Sequence, residues 1–223
     1  MTTRIGWRRW LKRIVIVSVA LLLMPLPMIL LLWVVQPPMT AVMAQQTLGR
    51  VVSGDRPLWP RHTTMSRDKI SINLRKAVIA SEDDRFYEHR GIDFVEINAA
   101  LERRKRTGKL RGASTITQQV AKNLFLWNGR SYIRKGLELY LTLLLELCLS
   151  KERILDVYLN MAEWGPSTYG AEAAARLHFG KSAAQLTRDD AARLAAILPS
   201  PKRWSPKGSI ATRRAAVIAQ RMR

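Results

Sequence analysis

The chain has 223 residues and a formal net charge of +20, because 37 Lys and Arg residues outnumber 17 Asp and Glu residues. This basicity predicts an anionic partner, which is nucleic acid, an anionic membrane surface or an anionic substrate. A single cysteine, Cys148, excludes an internal disulfide, so packing alone must hold the fold. The apolar neighbours of Cys148 predict that its side chain is buried.

The first feature along the chain is an apolar segment, residues 14–35, that contains no charged residue. As a helix it would be about 33 Å long, enough to cross a hydrocarbon core of about 30 Å, and Pro25 and Pro27 would kink it. The preceding residues, 1–13, include basic but no acidic side chains. The positive-inside rule therefore predicts a cytoplasmic tail over 1–13, a transmembrane helix over 14–35 and export of the remainder.

A cleaved signal peptide is the alternative interpretation of this segment. The apolar run is longer than the core of a typical signal peptide, and Ala41 and Ala44 offer only a weak cleavage site. An uncleaved anchor is therefore favoured. Because an exported domain rarely meets nucleic acid, phosphate groups or lipid headgroups near the membrane are the expected anionic partners.

Beyond the apolar segment, residues 36–69 are rich in proline and glycine and show no clear period. They predict a juxtamembrane linker with a short strand near residues 50–53. Apolar residues at helical spacing then predict helices over 70–80 and 93–105. A basic stretch, 103–111, is expected to form a flexible substrate loop because glycines flank it.

A long helix is predicted from Ser131, with a break near Ser150. Its middle, residues 137–149, is apolar nearly all round, which is typical of a buried helix. A further helix is predicted over residues 187–198, because a capping threonine opens it and a proline follows it. No convincing series of strands appears, so the exported part is predicted to be mainly helical.

Three polar clusters interrupt this helical pattern. The first reads EDDRFYEHRGID, from Glu82 to Asp93, and follows an apolar helix. Glu82 leaves a hydrophobic surface at the helix end, where a carboxylate can have a raised pKa and act as a general acid or base. A solvated acidic turn is the alternative when this cluster is taken alone.

The second cluster reads GASTITQQVAKN, from Gly112 to Asn123, and is unusual because it concentrates hydroxyls, amides and one lysine. Gln119, Lys122 and Asn123 are three or four residues apart, so they share one helix face. Such a face suits a ligand rich in oxygen acceptors, such as a sugar or a phosphate. A capped, solvated helix is the alternative.

The third cluster reads RSYIRKGLE, and its Arg130, Arg134 and Glu138 recur every four residues on one helix face. Because the helix is predicted to be buried, these charged side chains need either ion-pair partners or a role in binding a charged ligand. Lys122, Arg134 and Lys135 would supply the cationic clamp that a pyrophosphate leaving group requires. Two separated carboxylates with phosphate-binding cations predict glycosyl transfer from a phosphate-activated sugar.

These clusters, together with later segments, resemble the successive motifs of the family 51 glycosyltransferases, which are the peptidoglycan glycosyltransferases. The later segments are KERIL at 151–155, YLN at 158–160, YGAEAAA at 169–175, FGK at 179–181 and LPSP at 198–201. The resemblance covers roughly residues 70–206. It implies a lysozyme-like, mainly helical glycosyltransferase domain over residues 70–223, with a small membrane-proximal lobe beside a long cleft.

The resemblance also implies a substrate and a location. The substrate is lipid II, which is polymerised into β-1,4-linked glycan strands with release of undecaprenyl pyrophosphate. An α-linked donor that becomes a β-linked polymer requires inversion in a single displacement. The expected location is the bacterial cytoplasmic membrane, crossed once, with the catalytic domain on the periplasmic side. The expected partners are lipid II, the growing glycan strand, membrane lipids and proteins of cell-wall synthesis or division, without nucleic acid.

By match to the motifs, Glu82 is implied to be the general base that takes the proton of the acceptor's sugar 4-hydroxyl. Glu138 is implied to be a second essential glutamate that supports the cationic site and the leaving group. The positions implied to line the cleft and bind the donor are Ser114, Gln119, Lys122, Asn123, Arg130, Arg134 and Lys135.

Other motif residues are expected to play supporting parts. Phe86, His89 and Asp93 are expected to shape the loop that aims Glu82, and Tyr158 is expected to contribute packing. No cofactor is firmly implied, because dependence on a divalent cation (Mg²⁺ or Mn²⁺) varies within the family. No metal site is predicted, since no cluster here shows strong ligand spacing.

Two rival functions use the same features differently. A lytic, lysozyme-like enzyme would cleave glycan with an acid and would need no phosphate clamp, so the three predicted clamp cations disfavour it. A non-catalytic scaffold of cell-wall synthesis is the other alternative. A Ser-x-x-Lys match at residues 66–69 imitates the nucleophile motif of penicillin-binding domains, but the linker leaves no room for such a domain. The protein is therefore expected to be monofunctional.

Overall fold

The computed structural model describes residues 3–108, 112, 114–129 and 131–222, with side chains from residue 7 onwards. Its helices are α1 (Thr3–Leu23), α2 (Leu26–Leu31), α3 (Ala41–Ser53), α4 (Ile72–Glu82), α5 (Phe94–Thr107), α6 (Ile116–Phe125), α7 (Tyr132–Cys148), α8 (Lys151–Met161), α9 (Ala171–Phe179), α10 (Arg188–Ile197) and α11 (Ser209–Arg221). Short 3-10 turns lie at Arg67–Lys69 and Ala183–Gln185. The strands are β1 (Arg61–His62), β2 (Glu163–Gly165) and β3 (Thr168–Tyr169).

The apolar N-terminal segment folds as two consecutive helices, α1 and α2. Pro25 lies at the N-cap of α2, so the chain breaks its helix where the prolines predict a kink. Trp7–Leu31 is the one helical segment in the described ranges that is long and apolar enough to cross a membrane. Beyond it, the indole of Trp33 donates a hydrogen bond to the Cys148 carbonyl at 2.7 Å. The Cys148 side chain, predicted to be buried, is only partly so.

The segment predicted to be a linker contains helix α3. The prediction of a strand near residues 50–53 is wrong, because these residues belong to that helix. Thr40 caps the start of α3 by accepting a hydrogen bond from the backbone of Met43, and Gly54 ends it in the left-handed conformation. Met43 and Thr47 are buried. The helix thus packs against the rest of the domain, beside α6.

The hydrophobic core is built around α8, which is buried along its whole length from Ile154 to Met161. Helix α6 packs beside α8, and α4 packs on α10, which in turn contacts α11. The buried face of α10 consists largely of alanine, and these small side chains let α4 and α11 approach it closely. This arrangement brings the ends of α4, α6 and α11 towards one region.

Most of the predicted helices are confirmed, including their caps. The segments predicted over 70–80 and 93–105 form α4 and α5, and Ser150 separates α7 from α8 as the N-cap of the latter. Helix α10 begins with a capping box between Thr187 and Asp190. The basic stretch predicted as a loop is helical as far as Thr107, and residues 109–111 lie outside the described residues.

Helix α7 is not buried all round, so that prediction is wrong for one face. Leu141 and Leu145 are buried, whereas Leu137, Leu143 and Leu147 are 41%, 53% and 82% exposed. Helix α2 packs against α7. An exposed apolar helix face next to a membrane-length segment is what a membrane-proximal surface requires.

The three strands form one small sheet in the order β1-β3-β2, with β1 and β3 parallel and β2 and β3 antiparallel. Strands of two or three residues carry no alternation of polar and apolar residues, which explains why the sequence did not predict them. The architecture is mainly helical, as predicted, and is consistent with a lysozyme-like helical domain.

Candidate active site

Glu82 is the last residue of α4, which begins at Ser71 with a side-chain cap. The same helix buries Leu74, Ala77 and Val78 in the core, so its final turn lies against apolar surface. Burial raises the pKa of the Glu82 carboxyl above its ordinary value of 4.5. The direction of this shift is the one expected from the sequence.

Two neutral donors hold the Glu82 carboxylate. The Ser81 hydroxyl shares its one proton between Oε1 and the Ala195 carbonyl, each at 3.2 Å, and the Gln119 side-chain amide of α6 donates to Oε2 at 3.0 Å. Together with the positive charge of Arg214 on α11, these bonds oppose the rise in pKa that burial causes, whereas the negative charge of Asp83 adds to it. The carboxylate is therefore desolvated but well ordered, which suits a general base.

The loop after Glu82 is tied to the start of α6. Asp83 accepts hydrogen bonds from His89 Nε2 at 2.8 Å and from the backbone N–H of Ile116 at 3.0 Å. The hydroxyl of Thr115 donates to the Gly91 carbonyl at 2.6 Å. These bonds fix the position of α6, and so of its Gln119, relative to the end of α4.

Gly91 is required in this loop by its backbone and by its neighbours. Its φ is +82°, and a Cβ there would lie 2.5 Å from Cγ2 of Thr142 and 3.0 Å from Cγ of Glu146. Glu146 in turn accepts a hydrogen bond from the Thr117 hydroxyl of α6 at 2.5 Å. The loop is thus held between α6 and α7.

The structure brings Asp83, His89 and Asp93 together, with one potential metal-ligand atom of each within 4.8 Å of the others. Both carboxylates already have partners, since Asp83 accepts from His89 Nε2 and Asp93 caps α5 and pairs with Arg85 at 3.5 Å, whereas Nδ1 of His89 is buried without a hydrogen-bond partner. A divalent cation would have to displace these contacts, so the residues fit such an ion poorly. The cluster is better described as a brace for the loop that follows Glu82.

The polar residues of the second cluster have distinct structural parts, and α6 is not the solvated helix of the alternative interpretation. Thr115 and Gln118 form a capping box at its start and are buried. Thr117 is buried on Glu146, and Gln119 reaches Glu82. Thr115 and Gln118 therefore build the helix terminus, whereas Thr117 and Gln119 bind the carboxylates of Glu146 and Glu82.

A cationic cluster surrounds the buried carboxylate of Glu138 on α7. Arg134 Nη1 donates to Glu138 Oε2 at 2.6 Å, and Lys135 forms an ion pair with the other oxygen. Burial lowers the pKa of Lys122 on α6, and the charge of Glu138 opposes that shift. Two of the predicted clamp cations, Arg134 and Lys135, are thus paired with one acid, and the predicted Arg134–Glu138 pairing is confirmed.

Helix α6 joins the two carboxylates into one site. Gln119 contacts Glu82, and Lys122, three residues later, lies in the field of Glu138. Three residues correspond to about 4.5 Å along a helix, so Gln119 and Lys122 lie on the same part of α6. The same part of α6 therefore contacts the desolvated carboxylate of Glu82 through Gln119 and the cationic cluster through Gln118, which accepts a hydrogen bond from Lys135 at 3.5 Å.

Three of the predicted site residues are not joined to these contacts. Ser114 is exposed immediately before the cap of α6, and Asn123 is half-buried further along the helix. Arg130 lies outside the described residues. Conversely, sequence reasoning did not find Arg214, whose helix is far from Glu82 in the chain and has no local motif that would single it out.

The fold and site define a mainly helical domain that combines a desolvated acid, Glu82, with a cationic cluster around Glu138. Comparison with known proteins agrees: residues 49–223 match the family model described as transglycosylase. The biosynthetic peptidoglycan transglycosylase of Pseudomonas putida is 53% identical over 187 residues, covering 84% of this chain and 77% of that protein. Its counterpart in Pseudomonas aeruginosa is 50% identical over 190 residues, covering 84% of this chain and 82% of that protein.

The chain belongs to the transglycosylase family. It is an enzyme of peptidoglycan biosynthesis, a peptidoglycan glycosyltransferase, as the resemblance of its motifs implies.

Proposed function

We propose that this enzyme polymerises lipid II into β-1,4-linked glycan strands, with inversion at the reacting carbon and release of undecaprenyl pyrophosphate. The observation that supports the proposal is that adjacent residues of α6 contact both groups: Gln119 donates to Glu82 at 3.0 Å, and Gln118 accepts from Lys135 of the cationic cluster at 3.5 Å. A base and a phosphate clamp are the two parts that this transfer needs. A lytic enzyme would have no use for the second.

In the proposed reaction, the Glu82 carboxylate takes the proton from the 4-hydroxyl of the acceptor sugar. The freed oxygen bonds to the anomeric carbon of the donor as the bond from that carbon to the pyrophosphate breaks. The pyrophosphate leaves with the electron pair, and its charge is stabilised by Lys122, Arg134 and Lys135. Glu138 holds Arg134 and Lys135 in place, since it contacts both.

The raised pKa of Glu82 supports the role of base. A carboxylate with a higher pKa binds a proton more strongly than a solvated one, so it takes the hydroxyl proton more readily in the transition state. Ser114, Asn123 and Arg130 are proposed to bind the donor beside the three cations.

The test is polymerisation of lipid II by the purified full-length protein and by Glu82→Gln. The wild-type enzyme is expected to produce glycan polymer, and the Glu82→Gln variant to produce none while keeping its fold. Fragments released from added cell-wall glycan would instead indicate a lytic enzyme, and no product of either kind would indicate a scaffold. Polymer formation by Glu82→Gln would remove Glu82 from the mechanism.

We propose the corresponding domain organisation and location. Residues 1–13 form a cytoplasmic tail, 14–35 cross the bacterial inner membrane once, 36–69 connect to the domain, and 70–223 carry the activity on the periplasmic side. The helix α3 within 36–69 supports a connection that is packed on the domain. Membrane lipids, the growing glycan strand and proteins of cell-wall synthesis or division are the proposed partners.

A further inference from the structure

Tyr158 is a buried residue of α8 whose hydroxyl contacts Gln119 of the site. Its side chain is 1% exposed, and its hydroxyl donates a hydrogen bond to Oε1 of Gln119 at 3.1 Å. The other end of the same amide, Nε2 of Gln119, donates to Glu82 Oε2 at 3.0 Å. A chain of two hydrogen bonds thus connects the core helix α8 to the carboxylate.

We infer that Tyr158 is a positioning residue of the glycosyl transfer, which acts by keeping the donor end of the Gln119 amide directed at Glu82. This inference rests on the proposed role of Glu82 as the general base. A glutamine amide has one accepting and one donating end, so whatever occupies the oxygen decides where the nitrogen points.

The need for Tyr158 is greatest after Glu82 has taken a proton. A charged carboxylate itself attracts the N–H₂ end of Gln119, but a protonated carboxyl has a donor of its own and no longer selects that end. The Tyr158 hydroxyl remains a donor throughout, because burial and the charges of Glu82 and Asp83 raise its pKa above its ordinary value. Tyr158 would therefore keep the N–H₂ end of the Gln119 amide directed at Glu82 throughout each catalytic cycle.

The charged and polar groups that face Glu82 come from each element packed against it. Asp83 and Ser81 lie on its own segment, Gln119 on α6 and Arg214 on α11, while α10 supplies the Ala195 carbonyl that binds Ser81 at 3.2 Å. Among these groups only Gln119 is connected to Tyr158 by a hydrogen bond described here. Removal of the Tyr158 hydroxyl should therefore act on Glu82 through Gln119.

The experiment compares Tyr158→Phe with Tyr169→Phe in the full-length enzyme, with lipid II as substrate. Tyr169 is a matched control, since it is 2% exposed and its hydroxyl donates to Gln46 Oε1 at 2.8 Å, away from Glu82. Tyr169→Phe loses the bond to Gln46 and the hydroxyl's interaction with Arg50, so its Tm is expected to fall at least as far as that of Tyr158→Phe. Only Tyr158→Phe is expected to lower kcat, by about tenfold, with KM nearly unchanged.

The pH profile separates positioning from a general loss of stability. The amide N–H of Gln119 lowers the pKa of Glu82, so weakening that bond should move the acid limb of kcat/KM to higher pH in Tyr158→Phe and not in Tyr169→Phe. In a Gln119→Leu background, Tyr158→Phe should have no further effect on the limb. If Tyr158→Phe does not fold, Gln119→Leu alone must move the limb in the same direction.

Two results would overturn the inference: an acid limb that stays in place in Tyr158→Phe, or an undiminished effect of that change in the Gln119→Leu background. If either result is found and Glu82→Gln is inactive, Tyr158 has no positioning role, but the proposed role of Glu82 as the base still holds. An active Glu82→Gln would instead remove the base on which the inference rests.

Discussion

At the scale of single residues, Glu82 shows a conflict between catalysis and stability. Its folded-state pKa lies above its ordinary value of 4.5, so the folded state binds the proton more strongly than the unfolded state does. Stability contributed by this group is therefore present at low pH and is lost as pH rises through the folded pKa. At neutral pH the buried charge destabilises the enzyme.

We therefore expect Glu82→Gln to abolish polymerisation and to raise Tm at pH 7, because an amide removes the buried charge while keeping the shape. The gain should shrink as the pH falls towards 4, where the wild-type carboxyl becomes protonated. Thermal unfolding of both proteins across this range measures the effect. A lower Tm for the variant at pH 7 would show that the charge is well compensated.

Arg134 allows a second prediction at this scale. Its side chain is only 12% exposed and bonds both Glu138 and the Gly129 carbonyl, so its guanidinium is held in place for an anionic ligand. Arg134→Gln should weaken lipid II binding by about tenfold or more, which is the effect of losing one partly buried charge partner. The control is Arg193→Gln, because Arg193 forms the same i,i+4 pair with exposed Asp189 on α10. Equal affinity of both variants would contradict the clamp.

At the scale of elements, α11 completes the site from the end of the chain. Arg214 Nε donates to the Ala196 carbonyl at 3.1 Å, one residue from the carbonyl that binds Ser81, so α10 fixes both groups around Glu82. The positive charge of Arg214 lowers the pKa of Glu82 against the effect of burial.

Arg214→Gln should therefore raise the pKa of Glu82 further and move the acid limb of kcat/KM to higher pH. Arg214→Lys should restore most of the wild-type profile, because it keeps the charge. Arg213→Gln provides the control, since Arg213 is the exposed neighbour on the same helix. A limb that does not move in Arg214→Gln would show that the charge acts too weakly to matter.

The packing of α4 on α8 includes a buried ion pair between Arg75 and Asp156, which are 5% and 6% exposed. Asp156→Asn should lower the free energy of unfolding by about 3–5 kcal/mol, because it leaves the Arg75 charge buried without a partner. The double change Arg75→Met with Asp156→Leu should recover much of this loss. Chemical unfolding in detergent measures both, and a neutral Asp156→Asn would show that the pair is solvated.

Helices whose ends are marked by capping residues or prolines were predicted correctly, and elements without such local sequence features were not. Helix α10 was predicted from Thr187 and Pro199, because caps act on neighbouring backbone, and the break predicted near Ser150 falls where Ser150 caps α8. Helix α3 was missed, since Gly49 and the surrounding prolines mask its short buried face. Its stability comes from packing beside α6, which no local pattern reveals.

At the scale of the whole molecule, the apolar N-terminal segment and the domain are joined by specific contacts. Ile29 of α2 is fully buried, and Arg153 of α8 donates to the Val35 carbonyl at 2.8 Å. The exposed leucines of α7 lie on the helix that α2 packs against. We propose that these contacts hold the cleft at the membrane surface, where a lipid-linked substrate is found.

The proposed topology predicts the outcome of protease treatment in a bacterial host. In spheroplasts, added protease should degrade the domain that follows residue 35, because it lies on the outer side of the inner membrane. In inside-out vesicles the same domain should be protected. Protection in spheroplasts and degradation in inside-out vesicles would reverse the orientation.

The sequence by itself determined the apolar segment, the basic balance, the order of the motifs and most helix ends, because these depend on residues close together in the chain. It also identified Glu82, Lys122 and Arg134 as candidates, although it could not join them. Only the tertiary structure decided that Gln119 and Tyr158 connect α8 to Glu82, and that one face of α7 is left uncovered. These contacts depend on how distant helices pack, and no spacing along the chain specifies that.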